Sequence, residues 1–264
     1  MGKTKQLIVV KIGGNVIDDQ DKLDSFLEEF SRIEQKKILV HGGGKLANRL
    51  AERLGIPQQV VDGRRITDEQ TLKLVTMVYA GLVNKQVVAK LQGFGCQALG
   101  LCGADADLIR SHRRSNAAIE YGLVGDIDKV NAQTLEKMLD MDLVPVIAPL
   151  THDGSGQLLN TNADSIAQEV AKSLSYHYAV HLIYCFEKEG VLADLNDEQT
   201  VIGQINLQTY QELKQNQVIV AGMIPKLDNA FSAIDQGVER VIIGKADKLS
   251  KLCTGDAGTT ISRS

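Results

Sequence analysis

Two apolar runs near the N-terminus break on glycine: Leu7-Ile8-Val9-Val10-Lys11-Ile12-Gly13-Gly14 and Ile38-Leu39-Val40-His41-Gly42-Gly43-Gly44. A strand that ends on tandem glycines leaves backbone N–H groups free to approach an anion. A helix that follows adds its positive N-terminal end. Lys11 lies inside the first run. Burying a lysine is costly unless it meets a counter-charge or a bound anion. A side chain snorkelling past the sheet edge is the other reading. Much later, Gly222-Met223-Ile224-Pro225-Lys226 opens a helix. Proline suits a first helical turn, whereas lysine there opposes the helix dipole unless it faces a negative ligand. Two glycine breaks with a lysine beside one of them suggest a phosphate site.

Other residues suit a carboxylate. Asp62-Gly63-Arg64-Arg65-Ile66-Thr67 sets two arginines side by side. A guanidinium can clamp a carboxylate through two parallel hydrogen bonds, although a solvated pair in a turn is the ordinary alternative. Asn160-Thr161-Asn162-Ala163-Asp164 opens a helix; these side chains either cap it or orient a substrate or another charged group. His41 reads as a hydrogen-bonded turn residue and is given no catalytic part. The chain has no G-x-x-x-x-G-K-[ST] loop, no G-x-G-x-x-G fingerprint and no protein-kinase signature set.

The elements that must position these residues alternate along the chain. Short continuous apolar runs at 7–12, 38–40, 98–101, 144–148, 179–185 and 241–243 suit strands buried on both faces. Amphipathic stretches at 21–33, 45–54, 164–174, 207–215 and 226–236 suit helices between them. A longer helix, Thr67–Leu91, starts with a capping-box pattern at Thr67 and Gln70. Gly258-Thr259-Thr260-Ile261 reads as a turn into a short last strand. The pattern predicts an α/β fold, a three-layer αβα sandwich with a mostly parallel central sheet. If there are two lobes, their seam falls near Leu174–Tyr178.

With 264 residues, 44% of them hydrophobic, the chain can bury a large core. A net charge of -4, 4% aromatic residues and no tryptophan argue against nucleic acid as a partner. The basic run Arg110-Ser111-His112-Arg113-Arg114 is expected on a solvated loop. Four cysteines without C-x-x-C or metal-ligand spacing read as reduced thiols, consistent with the cytoplasm. No apolar run reaches membrane-spanning length, and no signal segment precedes the first strand.

Taken in order, Lys11-Ile-Gly-Gly14, His41-Gly-Gly-Gly44, Gly63-Arg-Arg65, Asn160-x-Asn162-x-Asp164, Gly222-Met-Ile-Pro-Lys226 and the final Gly-Thr-x-Ile resemble the amino acid kinase family. Within it, they are most similar to the members that phosphorylate an N-acylglutamate. The resemblance spans nearly the whole chain and implies ATP-dependent phosphorylation of the side-chain carboxylate of an N-acyl-L-glutamate, in arginine biosynthesis. It implies that Lys11 and Lys226 stabilise the transferring phosphoryl group and that Asp164 holds both lysines. Gly43, Gly44, Arg65, Asn160 and Asn162 would bind the acceptor; Lys11, Gly13, Gly14, Glu187, Gly190 and Lys226 would bind ATP. Mg²⁺ is expected on the ATP phosphates, without a protein metal site. Residues 1–176 would form an acceptor-binding and dimerising lobe, and residues 177–264 an ATP-binding lobe.

Two segments depart from the family. Phe186-Glu187-Lys188-Glu189-Gly190 replaces a Ser/Thr-Asp-Val segment on the nucleotide side. Gly100-Leu-Cys-Gly-Ala-Asp-Ala106 replaces Gly-Leu-Ser-Gly-Lys-Asp-Gly. The second change, with Arg110, His112 and Arg113, raises the expectation of a larger or charged acyl group such as succinyl. Only Met1–Gln6 precede the first strand, so a homodimer joined through the Thr67–Leu91 helix is expected, rather than an arginine-inhibited hexamer. The competing readings are another kinase of the family, such as a glutamate 5-kinase, and a non-catalytic nucleotide or amino-acid sensor.

Overall fold

The computed structural model describes residues 5–61, 63–115, 118–194, 197–219 and 223–263. Asp62 and Gly222, both in motifs noted above, lie outside the described residues. In chain order, β1 (Gln6–Ile12) is followed by the one-turn helix α1 (Gly14–Ile17) and by α2 (Gln20–Ser31). The unit repeats as β2 (Lys36–His41) and α3 (Gly44–Arg53). A ribbon of β3 (Val60–Val61) and β4 (Arg64–Arg65) leads into α4 (Glu69–Thr76). That helix runs on through a π-helical stretch, Met77–Val83, into α5 (Asn84–Gly93). Next come β5 (Ala98–Leu101), β6 (Ile109–Arg113), β7 (Gly125–Val130), α6 (Ala132–Asp140), β8 (Val144–Ile147), β9 (Leu150–His152) and β10 (Leu158–Asn160). The rest of the chain forms α7 (Ala163–Leu174), β11 (Ala179–Phe186), β12 (Gln204–Ile205), α8 (Leu207–Gln215), α9 (Ile224–Asp235), β13 (Arg240–Lys245), α10 (Leu249–Thr254) and β14 (Thr259–Ile261).

Eight strands form one sheet in the order β12-β14-β13-β11-β1-β2-β8-β5. Among the described residues its pairings are parallel except that of β13 with β14. Side chains alternate across the central strands, and this divides the core in two. Leu7 and Val9 pack on one face with Leu182 and Tyr184 of β11, beneath α6, α7, α8 and α9. Ile8, Val10 and Ile12 pack on the other with Ile183 and Cys185, beneath α2, α4, α5 and α10. The result is the expected three-layer αβα sandwich. β11 returns to the middle of the sheet, next to β1, so the sheet runs unbroken past the α7–β11 connection.

Some expectations are corrected. Asp68, not Thr67, caps α4: its side chain accepts from the Thr71 N–H at 2.7 Å. Thr67 is instead fully buried and forms a bridge to Gly122. The basic run lies on β6 rather than on a loop. β6 belongs to a second sheet, β10-β9-β6-β7, that the apolar pattern did not suggest.

Candidate active site

Lys11 stands two residues beyond Val9 on the same face of β1, so its side chain emerges under the first turn of α7. There its Nζ lies 2.7 Å from Asp164 Oδ1. The strand registers bring Tyr184 alongside Lys11, and Phe186 follows on the same face at the end of β11. Lys226 enters from the first turn of α9. Its Nζ stands 4.1 Å from the centre of the Phe186 ring, and Lys11 Nζ stands 5.6 Å from the same ring. A ring face attracts cations at such distances. Burial pulls the Lys226 pKa below the usual lysine value; Asp164 opposes that shift and Lys11 adds to it. Two ammonium groups, one carboxylate and one ring thus converge where parallel strands end. Burial and the Asp164 charge push the Tyr184 phenol well above its ordinary value, so it stays protonated and donates to the Asp164 carbonyl.

Asp164 is fixed by its own helix. Asn162 caps α7 by accepting from the backbone N–H groups of Asp164, at 2.8 Å, and Ser165, at 3.1 Å. The capping reading of this motif therefore holds, and it also sets the carboxylate that Lys11 meets.

A cavity of about 350 Å³ opens on one side of the cluster. Gly13, Gly14, Glu187, Gly190 and Lys226 all line it, with Phe186 and Asn15. Val191 and Leu192, which follow Gly190, are buried in the core. Gly190 leaves no room for a side chain, because a Cβ would come within 2.7 Å of Thr259 Oγ1.

A second cavity, of about 360 Å³, opens on the other side. Gly43, Gly44, Arg65, Asn160 and Asn162 line it, together with Lys45, Arg64 and Tyr79. Gly43 allows the Tyr79 ring to approach, since a Cβ there would meet that ring at 2.8 Å. Arg65 is buried and aimed by neighbours: it donates to Gln58 Oε1 and, at 3.1 Å, to the Gly44 carbonyl. Among the described residues its Nε is buried without a partner. Asn160 donates to Thr67 Oγ1 at 3.0 Å. A fixed guanidinium and backbone N–H groups at the start of α3 suit an anionic acceptor. A third, smaller cavity contains Arg64, Asp164, Tyr184, Phe186 and Lys226 and so joins the two sides at the lysine cluster.

No acid–base group stands out. His41 is fully buried; its Nδ1–H donates to the Gly42 carbonyl at 2.7 Å and its Nε2 accepts from Asn84 at 3.1 Å. Burial lowers its pKa to about 4, so it is neutral at pH 7. It shapes the glycine break, as its sequence position suggested.

A profile of the amino acid kinase family matches residues 6–245. The chain belongs to this family. An acetylglutamate kinase of Cytophaga hutchinsonii is 54% identical, with 94% of each chain covered. Among solved structures, smu.665 from Streptococcus mutans UA159 superposes with a TM-score of 0.76 at 30% identity, covering 98% of this chain and 99% of that one. Carbamate kinase from Giardia lamblia bound to AMP-PNP shares the fold, with a TM-score of 0.72 at 13% identity over both full chains. Against this family background, the motif residues gather around one cluster and its two flanking cavities. Lys11 itself is nearly covered, 8% exposed, and reaches the cluster from below.

The structure also corrects the basis given for a charged acyl group. Arg110, His112 and Arg113 do not line the acceptor-side cavity. They pair on β6 with Asp107, Asp128 and Glu120. The 100–106 segment does not line it either. Sequence reasoning passed over Phe186, whose signal was its period-two spacing from Tyr184 on β11. It also gave no part to Lys45, and it left Arg64 without a role beside Arg65.

Proposed function

We propose that the protein transfers the terminal phosphoryl group of ATP to the side-chain carboxylate of an N-acyl-L-glutamate, a step of arginine biosynthesis. N-acetyl-L-glutamate is the acceptor named for its relatives. One observation carries the proposal: the Lys11–Asp164–Lys226 cluster lies between a glycine-lined cavity and an arginine-lined one.

The acceptor carboxylate has a free pKa of ~4.3 and is already ionised at neutral pH. No general base is needed, in keeping with a neutral, buried His41. What remains is positioning and charge neutralisation, which is nearly all a protein contributes to phosphoryl transfer. Lys11 and Lys226 draw negative charge from the transferring group, and Asp164 holds the lysines apart and aimed. Gly13 and Gly14 face the ATP phosphates, with Glu187 and Gly190 along the nucleotide. Gly43 and Gly44 donate N–H groups beside the acceptor, Arg65 grips its α-carboxylate, and Asn160 and Asn162 orient its amino-acid portion. The donor set is cationic and N–H rich, which fits a polyphosphate. Mg²⁺ rides on the ATP phosphates and neutralises their charge when bound.

Residues 1–176 then serve the acceptor and residues 177–264 the nucleotide. Two such chains pair through the Thr67–Leu91 helix, where Met77 and Leu82 are 57% and 45% exposed. Among the described residues no helix is long and apolar enough to cross a membrane. We place the enzyme in the cytoplasm.

The test is a panel assay with Mg·ATP and hydroxylamine, which traps an acyl phosphate as its hydroxamate. N-acetyl- or N-succinyl-L-glutamate should yield hydroxamate and free glutamate should not. Product from glutamate alone would mark a glutamate 5-kinase. ATP binding with no product from any acceptor would mark a sensor.

A further inference from the structure

The acceptor-side cavity holds more positive charge than an N-acetylglutamate would neutralise. Lys45, Arg64 and Arg65 all line it, and among the described residues no Asp or Glu does. N-acetyl-L-glutamate brings two carboxylates. One is the nucleophile, which must face the lysine cluster. The other is matched by Arg65, already aimed by Gln58 and Gly44. Arg64 is left over. It is half-buried and makes no side-chain hydrogen bond or ion pair among the described residues.

Among the described residues, its neighbours explain why it stays unneutralised. Asp126 is the carboxylate whose charge it feels, but Arg114 holds both Asp126 oxygens, at 2.7 and 3.1 Å. Arg114 itself repels Arg64. A guanidinium set partly out of water beside a second guanidinium, with the one acid whose charge it feels among the described residues already taken, is costly without a ligand. Lys45, on the first turn of α3, also has no ion pair among the described residues. Its ammonium is solvent-exposed, so it adds charge to the rim rather than a fixed contact.

We infer that Arg64, supported by Lys45, forms a subsite for a third carboxylate, so the preferred acceptor is an N-acylglutamate whose acyl chain ends in a carboxylate, of which N-succinyl-L-glutamate is the simplest probe. This rests on the proposed carboxylate-kinase reading and refines its substrate class. It replaces β6 with β4 and α3 as the source of the charge. Arg64 pairs with the acyl carboxylate while Arg65 keeps the α-carboxylate. A planar fork matches a carboxylate through two donors, which a lysine at the same place would not reproduce.

The experiment compares kcat and KM for N-succinyl- and N-acetyl-L-glutamate with saturating Mg·ATP, in the wild type, Arg64→Leu and Lys45→Ala. The wild type should favour the succinyl compound at least about tenfold in kcat/KM. Arg64→Leu should reduce that ratio by at least about tenfold, mainly through KM for the succinyl compound, and Lys45→Ala should reduce it less. Equal or better kinetics with the acetyl compound in the wild type would overturn the inference while leaving the kinase reading intact. Equal loss of kcat on both acceptors in Arg64→Leu would also overturn it, by assigning Arg64 to the phosphoryl group, since Arg64 also borders the cavity of Asp164 and Lys226. Should Arg64→Leu fail to fold, the wild-type ratio and Lys45→Ala still decide. Turnover of neither acceptor would instead sink the kinase reading.

Discussion

Lys11 and Lys226 flank the same ring and the same carboxylate, yet the fold holds them differently. Lys11 grows from the middle of the central sheet, is almost fully covered and touches Asp164 at 2.7 Å. Lys226 stands on the first turn of a helix, has no ion pair closer than 4.0 Å among the described residues, and rests on Phe186 at 4.1 Å. The strand lysine is fixed and compensated before any substrate arrives. The helix lysine is still open to solvent, only partly desolvated and not fully compensated, so it gains most when a phosphoryl group comes between the two. The difference suggests a division of labour: one charge is part of the framework, and the other is completed by the ligand.

Removing either lysine should break the pair outright. Loss of one preorganised donor to a transition state typically costs about 10²–10³ in kcat. Lys11→Ala and Lys226→Ala should each fall at least that far in steady-state assays of hydroxamate formation. A variant keeping most of its turnover would remove that lysine from the mechanism.

Asp164→Asn asks whether the carboxylate aims the lysines. Charge-assisted hydrogen bonds are worth about 1.5–3 kcal/mol, or roughly ten- to a hundredfold in rate. The loss should appear in kcat more than in KM for ATP. A pure KM effect would mean that Asp164 serves binding alone.

The alkaline pH profile sharpens the contrast. Transfer needs Lys226 charged, and burial lowers its pKa from the ordinary 10.5. Activity should therefore decline with rising pH earlier than an ordinary lysine would allow. The limb belongs in kcat/KM, which reports the free enzyme. Lys226→Arg should move the limb upward. An unmoved limb would assign it elsewhere.

These groups were unequally legible in the sequence. The central strands announce themselves as continuous apolar runs, because a strand covered on both faces has no polar side. The four-stranded sheet is missed because β6 and β7 are half-exposed and carry mostly polar or charged residues, a pattern shared with loops. The cap of α4 is misassigned by one residue because Thr67 and Asp68 both suit an N-cap, and only the packing of Thr67 against Gly122 decides between them. Lys11, Asp164 and Lys226 are found from motif and resemblance, but their convergence is not. It depends on the register that sets Lys11 opposite Tyr184. Arg64 is the clearest case of what sequence withholds, since its lack of a partner among the described residues follows from Arg114 taking Asp126 in a sheet that the sequence does not predict.

His41 gives the smallest effect and serves as a control, being a buried titratable group outside the transfer chemistry. Its pKa is about 4 in the fold, against an ordinary value of 6.5. Between those values the unfolded chain binds a proton that the native state refuses, so stability falls as pH falls through that window. The loss amounts to roughly 3 kcal/mol in all. Thermal melts from pH 7 to pH 4 should decline more steeply for the wild type than for His41→Asn. Parallel declines would place the acid sensitivity in other groups.

The most direct test of the central claim is one turnover of enzyme-bound ATP with N-acylglutamate and hydroxylamine, comparing wild type with Lys11→Ala under conditions where both bind ATP. The account predicts hydroxamate from the wild type and at most about one-hundredth of that rate from the variant. Hydroxamate formed at the wild-type rate without Lys11 would contradict it.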